Sequence, residues 1–228
     1  MKNILKQDPT IPVHGRAKRN LTFVSDSSIK NKDILDIGCG YGWFELNALK
    51  KGCKHITGIE ITKTDLATAK KCIKDSRAAF KIGSAIELPF EDSSFDTVVC
   101  WEVLEHIPKN TESQLFAEAY RVLRSGGAFY LSTPLHSIST YLDPAWWLIG
   151  HRHYKPSKVK NFAKKAGFAI KKVETGGGFW EIVNINSILI CKWIFRREPF
   201  FWDFINKKRD QEYKGKGIIS IFLRAKKP

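Results

Sequence analysis

The chain has 228 residues, 43% of them hydrophobic and 27% charged, which suits one well-filled globular unit and excludes a fibrous or low-complexity protein. Its net charge is +15, and the excess is uneven: residues 151–228 carry nineteen basic and six acidic side chains, residues 1–150 nineteen and seventeen. A basic carboxy-terminal third suits phosphate, nucleic acid, an acidic substrate or an anionic membrane surface, and equally a Lys-rich solvated face. No apolar run reaches the roughly 18–20 residues of a spanning helix. The amino terminus, Met1 to Asp8, lacks the core of a signal peptide, so a cytoplasmic protein is expected. Cys39, Cys53, Cys72, Cys100 and Cys191 form no Cys-x-x-Cys pair, and no His pair stands at zinc spacing beside them. Reduced thiols are expected, and no metal site.

Residues 1–31 read as a polar arm with Pro9, Pro12 and Gly15, then a short helix around Arg16 to Ser25. An alternation of strands and helices follows. Asp33 to Ile37 is a short apolar strand ending in a Gly-rich turn, and Trp43 to Lys51 is a helix. His55 to Glu60 is a strand, Asp65 to Lys74 a helix with Leu66, Ala69 and Ile73 at helical spacing, and Ala79 to Ile82 a third strand. A polar turn over Leu88 to Ser94 leads to the strand Phe95 to Cys100. Glu112 to Leu123 is an amphipathic helix with Ser125-Gly126-Gly127 as its carboxy-terminal cap. Ala128 to Thr133 is a strand stopped by Pro134. Further on, Lys158 to Ala166 is a helix capped by Gly167, Phe168 to Val173 a strand, and Ile218 to Arg224 the last strand. This rhythm predicts an α/β fold, a doubly wound, mostly parallel sheet covered on both faces. An aromatic helical insertion, residues 176–213, precedes the last strand. No linker divides residues 1–228 into separate domains.

The chemistry concentrates at Asp36-Ile37-Gly38-Cys39-Gly40-Tyr41-Gly42, between a strand and a helix. Glycines there let the backbone turn sharply and come close to a ligand, while the next helix presents free N–H groups. A dinucleotide fingerprint needs Gly-x-Gly-x-x-Gly. Here the third glycine stands one place early and bulky Trp43 follows it, which argues against a pyrophosphate and for a ligand with a carboxylate and an amino group. Glu60 ends the second strand, 18 residues past Gly42, where a carboxylate can accept both hydroxyls of an unmodified ribose.

Taken in order, Asp36 to Gly42, Glu60, Leu88-Pro89-Phe90 to Phe95-Asp96, Leu104-Glu105-His106 and Leu123-Arg124-Ser125-Gly126-Gly127 resemble the class I S-adenosylmethionine-dependent methyltransferases, in particular the small-molecule group with a ubiquinone/menaquinone-methyltransferase-like pattern. The resemblance is close over roughly residues 30–135 and weaker from His153-Tyr154-Lys155-Pro156 to Ala166-Gly167-Phe168. It implies a seven-stranded Rossmann-like fold with S-adenosylmethionine as donor and S-adenosylhomocysteine as product. Residues 32–135 would hold the donor, and residues 136–228 would shape the acceptor side. Gly38, Cys39, Gly40, Tyr41 and Gly42 would meet the methionine part, with Asp36 holding the loop. Glu60 would hold the ribose and Ile61 would pack on the adenine. The family's Gly-Asp-Ala after the third strand is Gly83-Ser84-Ala85 here, so a neutral Ser84 replaces the acid, with Ala85 and Ile86 flanking the base. Trp101 and Glu102 would face the reacting end. Tyr41 or Trp101 would favour the sulfonium cation.

A base is needed only if the acceptor is a hydroxyl. Among His106, His136, His151 and His153, His106 follows the fourth strand directly and is the candidate catalytic base. The Asn/Asp-Pro-Pro-Tyr/Phe stretch of base N-methyltransferases is replaced by Cys100-Trp101-Glu102-Val103, which disfavours nucleic-acid bases as acceptors. Five of the seven tryptophans, Trp146, Trp147, Trp180, Trp193 and Trp202, lie in the carboxy-terminal part. Ile188 to Arg197 and Phe200-Phe201-Trp202 mix bulky apolar with basic residues. They suit a lid over a greasy acceptor, peripheral contact with an anionic membrane, or a helix packed on the sheet. The favoured function is O- or C-methylation of a small or lipid-like acceptor. A protein or rRNA methyltransferase and a catalytically silent donor-binding scaffold remain open, as does the oligomeric state.

Overall fold

The computed structural model describes residues 8–188, 190–191 and 201–228; the expected lid stretch over 192–200, with Trp193, Arg196 and Arg197, lies outside them. Seven strands form one sheet: β1 (Asp33–Ile37), β2 (His55–Glu60), β3 (Ala78–Ile82), β4 (Phe95–Trp101), β5 (Leu123–Pro134), β6 (Ala169–Gly176) and β7 (Ser220–Lys226). Their order is β3-β2-β1-β4-β5-β7-β6. The first five are parallel, and β7 runs antiparallel to both β5 and β6.

The helices are α1 (Gly15–Phe23), α2 (Trp43–Lys50), α3 (Lys63–Cys72), α4 (Glu112–Val122), α5 (Pro144–Ile149), α6 (Pro156–Lys165), α7 (Phe179–Ile188) and α8 (Trp202–Glu212). The predicted insertion is built around α7 and α8. Its helix α8 is tied to α1 by Asp210, which accepts from the Gly15 N–H at 2.7 Å and pairs with Lys18 at 2.7 Å. Buried Arg209 binds Glu181 of α7 at 2.7 Å.

The central strands are near-continuous apolar runs because both faces are covered. Successive residues divide between two cores. Leu35, Ile37, Val98, Cys100, Phe129, Leu131, Ile221 and Leu223 pack with Leu115, Phe116 and Val122 of α4 and Val159 of α6. Ile34, Val99, Trp101, Tyr130 and Phe222 pack on the other face with Phe23 of α1 and Phe44 and Leu49 of α2.

One boundary differs from expectation. Helix α4 ends at Val122, and Leu123 is already extended (φ −74°, ψ 139°), so β5 begins where a glycine cap was predicted. Gly126 takes φ +78°, and a Cβ on Gly127 would sit 2.8 Å from the Arg124 carbonyl and 3.0 Å from that of Asp96. These glycines bend the entry to a strand that pairs from Phe95–Leu123 onward, rather than closing the helix.

Candidate functional site

All five parallel strands point their carboxyl ends to one edge, and the chain reverses direction across the sheet between β1 and β4. Such a switch point opens a crevice, and ligands of open α/β sheets bind there. The segments leaving this edge are the glycine loop after β1, Glu60-Ile61 after β2, Ser84 to Ile86 after β3, Glu102 to His106 after β4, and Leu135 onward after β5.

The glycine loop is held from two sides. Gly38 N–H and Cys39 N–H both donate to the Ile59 carbonyl at the end of β2, at 2.8 and 3.1 Å. Gly40 N–H donates to Glu60 Oε2 at 3.1 Å, and Glu60 Oε1 accepts from Thr62 N–H at 2.9 Å. Gly38, Gly40 and Gly42 all have positive φ, the region glycine enters without strain. Their surroundings differ. A Cβ on Gly38 would collide with Val103 Cγ2, and one on Gly42 would lie 2.8 Å from Ile73 Cδ1, whereas beside Gly40 nothing stands within 4 Å. Gly40 therefore carries the open side of the loop.

Behind the loop lie three carboxylates. Asp36 and Glu45 are buried, and Asp36 Oδ1 and both Glu45 oxygens lack hydrogen-bond partners. Burial first, then the charge of Glu60, raises the Asp36 carboxyl well above its usual range; burial and Asp36 do the same to Glu45. A buried carboxyl oxygen without a partner can take a hydrogen bond from a ligand donor. Tyr41 is half-buried, and burial raises its phenol. Ile61 is 71% exposed at the edge, an apolar face placed for a flat ring, and Ser84, Ala85 and Ile86 are half-buried nearby in chain order after β3. Ser84 Oγ accepts from Ile86 N–H at 3.4 Å. The features that the donor requires are therefore present: an orphaned acid, a cradle that a Cβ would fill, a carboxylate at the end of β2 and an apolar flank.

Three expectations are corrected by the geometry. Trp101 is the last residue of β4, and strand alternation turns it into the core beside Phe44 (ring centroids 5.8 Å), not toward the reacting end. The Cys39 side chain is buried, its Sγ set where a Cβ on Gly58 would stand, so only its backbone belongs to the loop. Glu102, in a left-handed conformation (φ +56°), spends its carboxylate on Arg16 at 2.6 Å and Ser132 Oγ at 2.7 Å. Arg16 of α1 was not anticipated at the site. It arrives because α8 holds α1 against this edge.

The segment after β4 is braced by Arg152, whose guanidinium donates to the carbonyls of Leu104 (2.9 Å), Glu105 (3.2 Å) and Ile107 and pairs with Glu112 (2.8 Å). Tyr154 Oη adds a hydrogen bond to the Leu104 carbonyl at 3.0 Å. Three of the four candidate histidines converge. His106 Nε2 lies 3.3 Å from His151 Nε2, His151 Nδ1 lies 3.3 Å from Asp143 Oδ2, and His153 Nε2 lies 3.0 Å from the same oxygen. His136 is exposed and makes none of these contacts. His106 keeps an exposed edge, and desolvation, then His151, pushes its pKa down. Asp143 was missed by sequence reading. Its signal was the Asp143-Pro144 step, a helix start: its carboxylate caps α5 through Ala145 N–H at 3.0 Å and orients both histidines.

Beyond this cluster lies a cavity of about 140 Å³, lined by Arg16, Asp143, His151 and His153 and by apolar Leu142, Ile182, Ile185 and Ile219. A larger depression, about 560 Å³, lies at the opposite, amino end of the strands around Asp96, Thr97, Arg124 and Lys226, and holds none of the candidate site residues.

Comparison with known proteins agrees with this geometry. The family described as a methyltransferase domain matches residues 35–131. A ubiquinone biosynthesis O-methyltransferase of Pelagibacter ubique (strain HTCC1062) is 26% identical over 184 residues, 72% of this chain and 75% of that protein. A 27-O-demethylrifamycin SV methyltransferase of Amycolatopsis mediterranei (strain S699) is 36% identical over 102 residues, but those span only 43% of this chain and 37% of that protein. An S-adenosylmethionine-dependent methyltransferase of Mesorhizobium loti superposes with a TM-score of 0.66 at 19% identity, over 92% of this chain and 97% of that one.

Proposed function

The chain belongs to the class I S-adenosylmethionine-dependent methyltransferases, and from that premise we propose that it methylates a hydroxyl oxygen of a small, largely apolar acceptor held in the 140 Å³ cavity. The observation that carries this reading is the cavity itself: apolar walls with a few convergent polar groups, beside the segment that leaves β4. C-methylation remains the narrower variant of the same reading, since a carbon acceptor would fill the same space.

In this reading residues 32–135 hold the donor and residues 136–228 shape the acceptor side of one catalytic unit. The donor, when bound, supplies a methyl group on a sulfonium that transfer neutralises. Gly38, the Cys39 backbone, Gly40, Tyr41 and Gly42 take its methionine part, and Asp36 Oδ1 receives the ammonium. Glu60 takes the ribose hydroxyls, and Ile61, Ser84, Ala85 and Ile86 surround the adenine. Glu102 and Arg16 close the floor between the two halves. In-line displacement depends chiefly on alignment, and the fixed loop after β4 provides it. His106 and His151 border the place proposed for the acceptor hydroxyl.

Exposed apolar side chains support a peripheral membrane role. Ile138, Tyr141, Leu142, Trp147 and Leu148 are exposed on the 138–149 segment, and Phe179, Phe201 and Phe204 are exposed on the insertion. Apolar and aromatic side chains in a chain of net charge +15 suit an anionic interface and a lipid-like acceptor. Among the described residues no helix is long and apolar enough to cross a membrane.

The test is incubation with methyl-tritiated donor and a panel of phenols, hydroquinones and hydroxylated lipids, with total RNA and protein as competitors. Label on a hydroxyl oxygen supports the proposal. Label only in RNA or protein, or donor retention with no transfer to any acceptor, sides instead with the macromolecular or silent-scaffold readings.

A further inference from the structure

We propose that Glu105 Oε1, His106 Nε2 and His151 Nε2 form a binding site for one divalent transition-metal ion at the acceptor end of the cleft. One ligand atom from each of the three residues lies within 4.8 Å of the other two. Two imidazole nitrogens bound to zinc at about 2.0–2.1 Å in tetrahedral geometry stand about 3.3–3.4 Å apart; here the two Nε2 atoms are 3.3 Å apart. Glu105 Oε1 is 3.7 Å from His151 Nε2.

Glu105 provides an independent sign. Its side chain has no exposure, its Oε2 accepts from Thr133 Oγ1 at 3.0 Å, and its Oε1 is buried without a hydrogen-bond partner, facing His151. A buried, unsatisfied carboxylate oxygen is costly unless something meets it.

The outer shell is also built. Metal-binding histidines commonly donate their second N–H to a carboxylate, which fixes the ring. His151 directs Nδ1 at Asp143 Oδ2, 3.3 Å away, which leaves Nε2 for the ion. Arg152 and Tyr154 pin the Leu104–Ile107 backbone that carries Glu105 and His106. Two nitrogens and one carboxylate oxygen suit zinc, cobalt, iron or manganese, with one or more positions left open. His106 is exposed, and His151 lines the acceptor cavity, so an open position reaches both water and the acceptor. No metal was expected from sequence because the two histidines lie 45 residues apart and only the fold joins them.

The role of the ion rests on the proposed hydroxyl acceptor; its binding does not. A hydroxyl bound to the cation becomes more acidic and loses its proton to water. The oxygen then forms the bond to the methyl carbon as the carbon–sulfur pair returns to sulfur.

The tag-free chain, dialysed against a chelator, would be titrated with Co²⁺ and read by visible absorption. Zn²⁺ competition and calorimetric titration with S-adenosylmethionine would run in parallel. One Co²⁺ per chain with the d–d bands of a four- or five-coordinate ion is expected. His106→Ala and His151→Ala should each weaken it at least tenfold, and Asp143→Asn should weaken it roughly 10–100-fold. No binding below millimolar Co²⁺, or binding unaffected by both histidine variants, overturns the site. His106 is exposed, so His106→Ala is the variant least prone to misfold, and retained donor affinity reports an intact fold. Loss of donor binding with Co²⁺ binding intact would refute the donor reading alone.

Discussion

Replacing Gly38 or Gly40 with alanine should have different consequences, although only Cys39 separates them and both are left-handed. Each new Cβ in that region costs about 1 kcal/mol or more of backbone strain. At Gly38 (φ +78°) the methyl also runs into Val103 Cγ2, inside a loop that hydrogen bonds to Ile59 hold in place. Overpacking of that kind costs about 1–3 kcal/mol more. The sum, about 2–4 kcal/mol, converts to a Tm loss of about 5–15 °C at roughly 2–4 °C per kcal/mol for a chain of this size. At Gly40 (φ +53°) nothing lies within 4 Å, so only the backbone strain applies and Tm should fall by no more than about 5 °C. That methyl instead enters the space assigned to the donor. Differential scanning fluorimetry and donor calorimetry, run on both variants, separate the effects. Gly38→Ala should be the less stable protein; Gly40→Ala should be nearly as stable as wild type but bind S-adenosylmethionine at least tenfold more weakly. A Gly40→Ala protein with wild-type donor affinity would refute the placement of the donor against this loop.

Glu60→Gln should weaken donor binding by more than tenfold, because a hydrogen bond to a charged group contributes about 1.5–3 kcal/mol; near-wild-type affinity would remove the ribose assignment. Asp33 gives a pH-dependent prediction. Burial alone would raise its pKa, but hydrogen bonds from His55, Arg124 and Lys54 outweigh that and lower it. Asp33→Asn should therefore cost about 1 kcal/mol at neutral pH. In chemical denaturation the gap from wild type should hold down to about pH 4 and close below it, as the lowered group protonates. A gap that widens in acid would contradict the sign. For the membrane surface, Trp147→Ser with Leu148→Ser should reduce sedimentation with phosphatidylglycerol vesicles at least several-fold while leaving donor affinity unchanged; equal sedimentation would remove that surface from the account.

The parallel core was readable because β1, β2 and β4 are short apolar runs bounded by Gly and polar turns, and because a glycine loop and Glu60 mark two strand ends. Trp101 shows where such reading ends. A tryptophan next to a motif looks functional in sequence, but the two-residue period of β4 decides its direction, and that period places it with Val99 and Phe44 in the core. The glycine pair after α4 misled for a related reason: helix cap and strand entry use the same residue, and only the pairing of Leu123 with Phe95 tells them apart. Arg16 and the meeting of His106 with His151 were illegible because each depends on contacts between distant segments, whereas Asp143 lies only 8 and 10 residues from the histidines it orients and was marked only as a helix start. The insertion was visible as aromatic composition, but its anchoring through Asp210 and Arg209 was not.

Calorimetric titration of the full chain with S-adenosylmethionine and then S-adenosylhomocysteine tests the central claim most directly. One site per chain, micromolar affinity for the donor and product binding at least as tight are expected. No detectable heat with either ligand, from protein that is folded by circular dichroism, would contradict it.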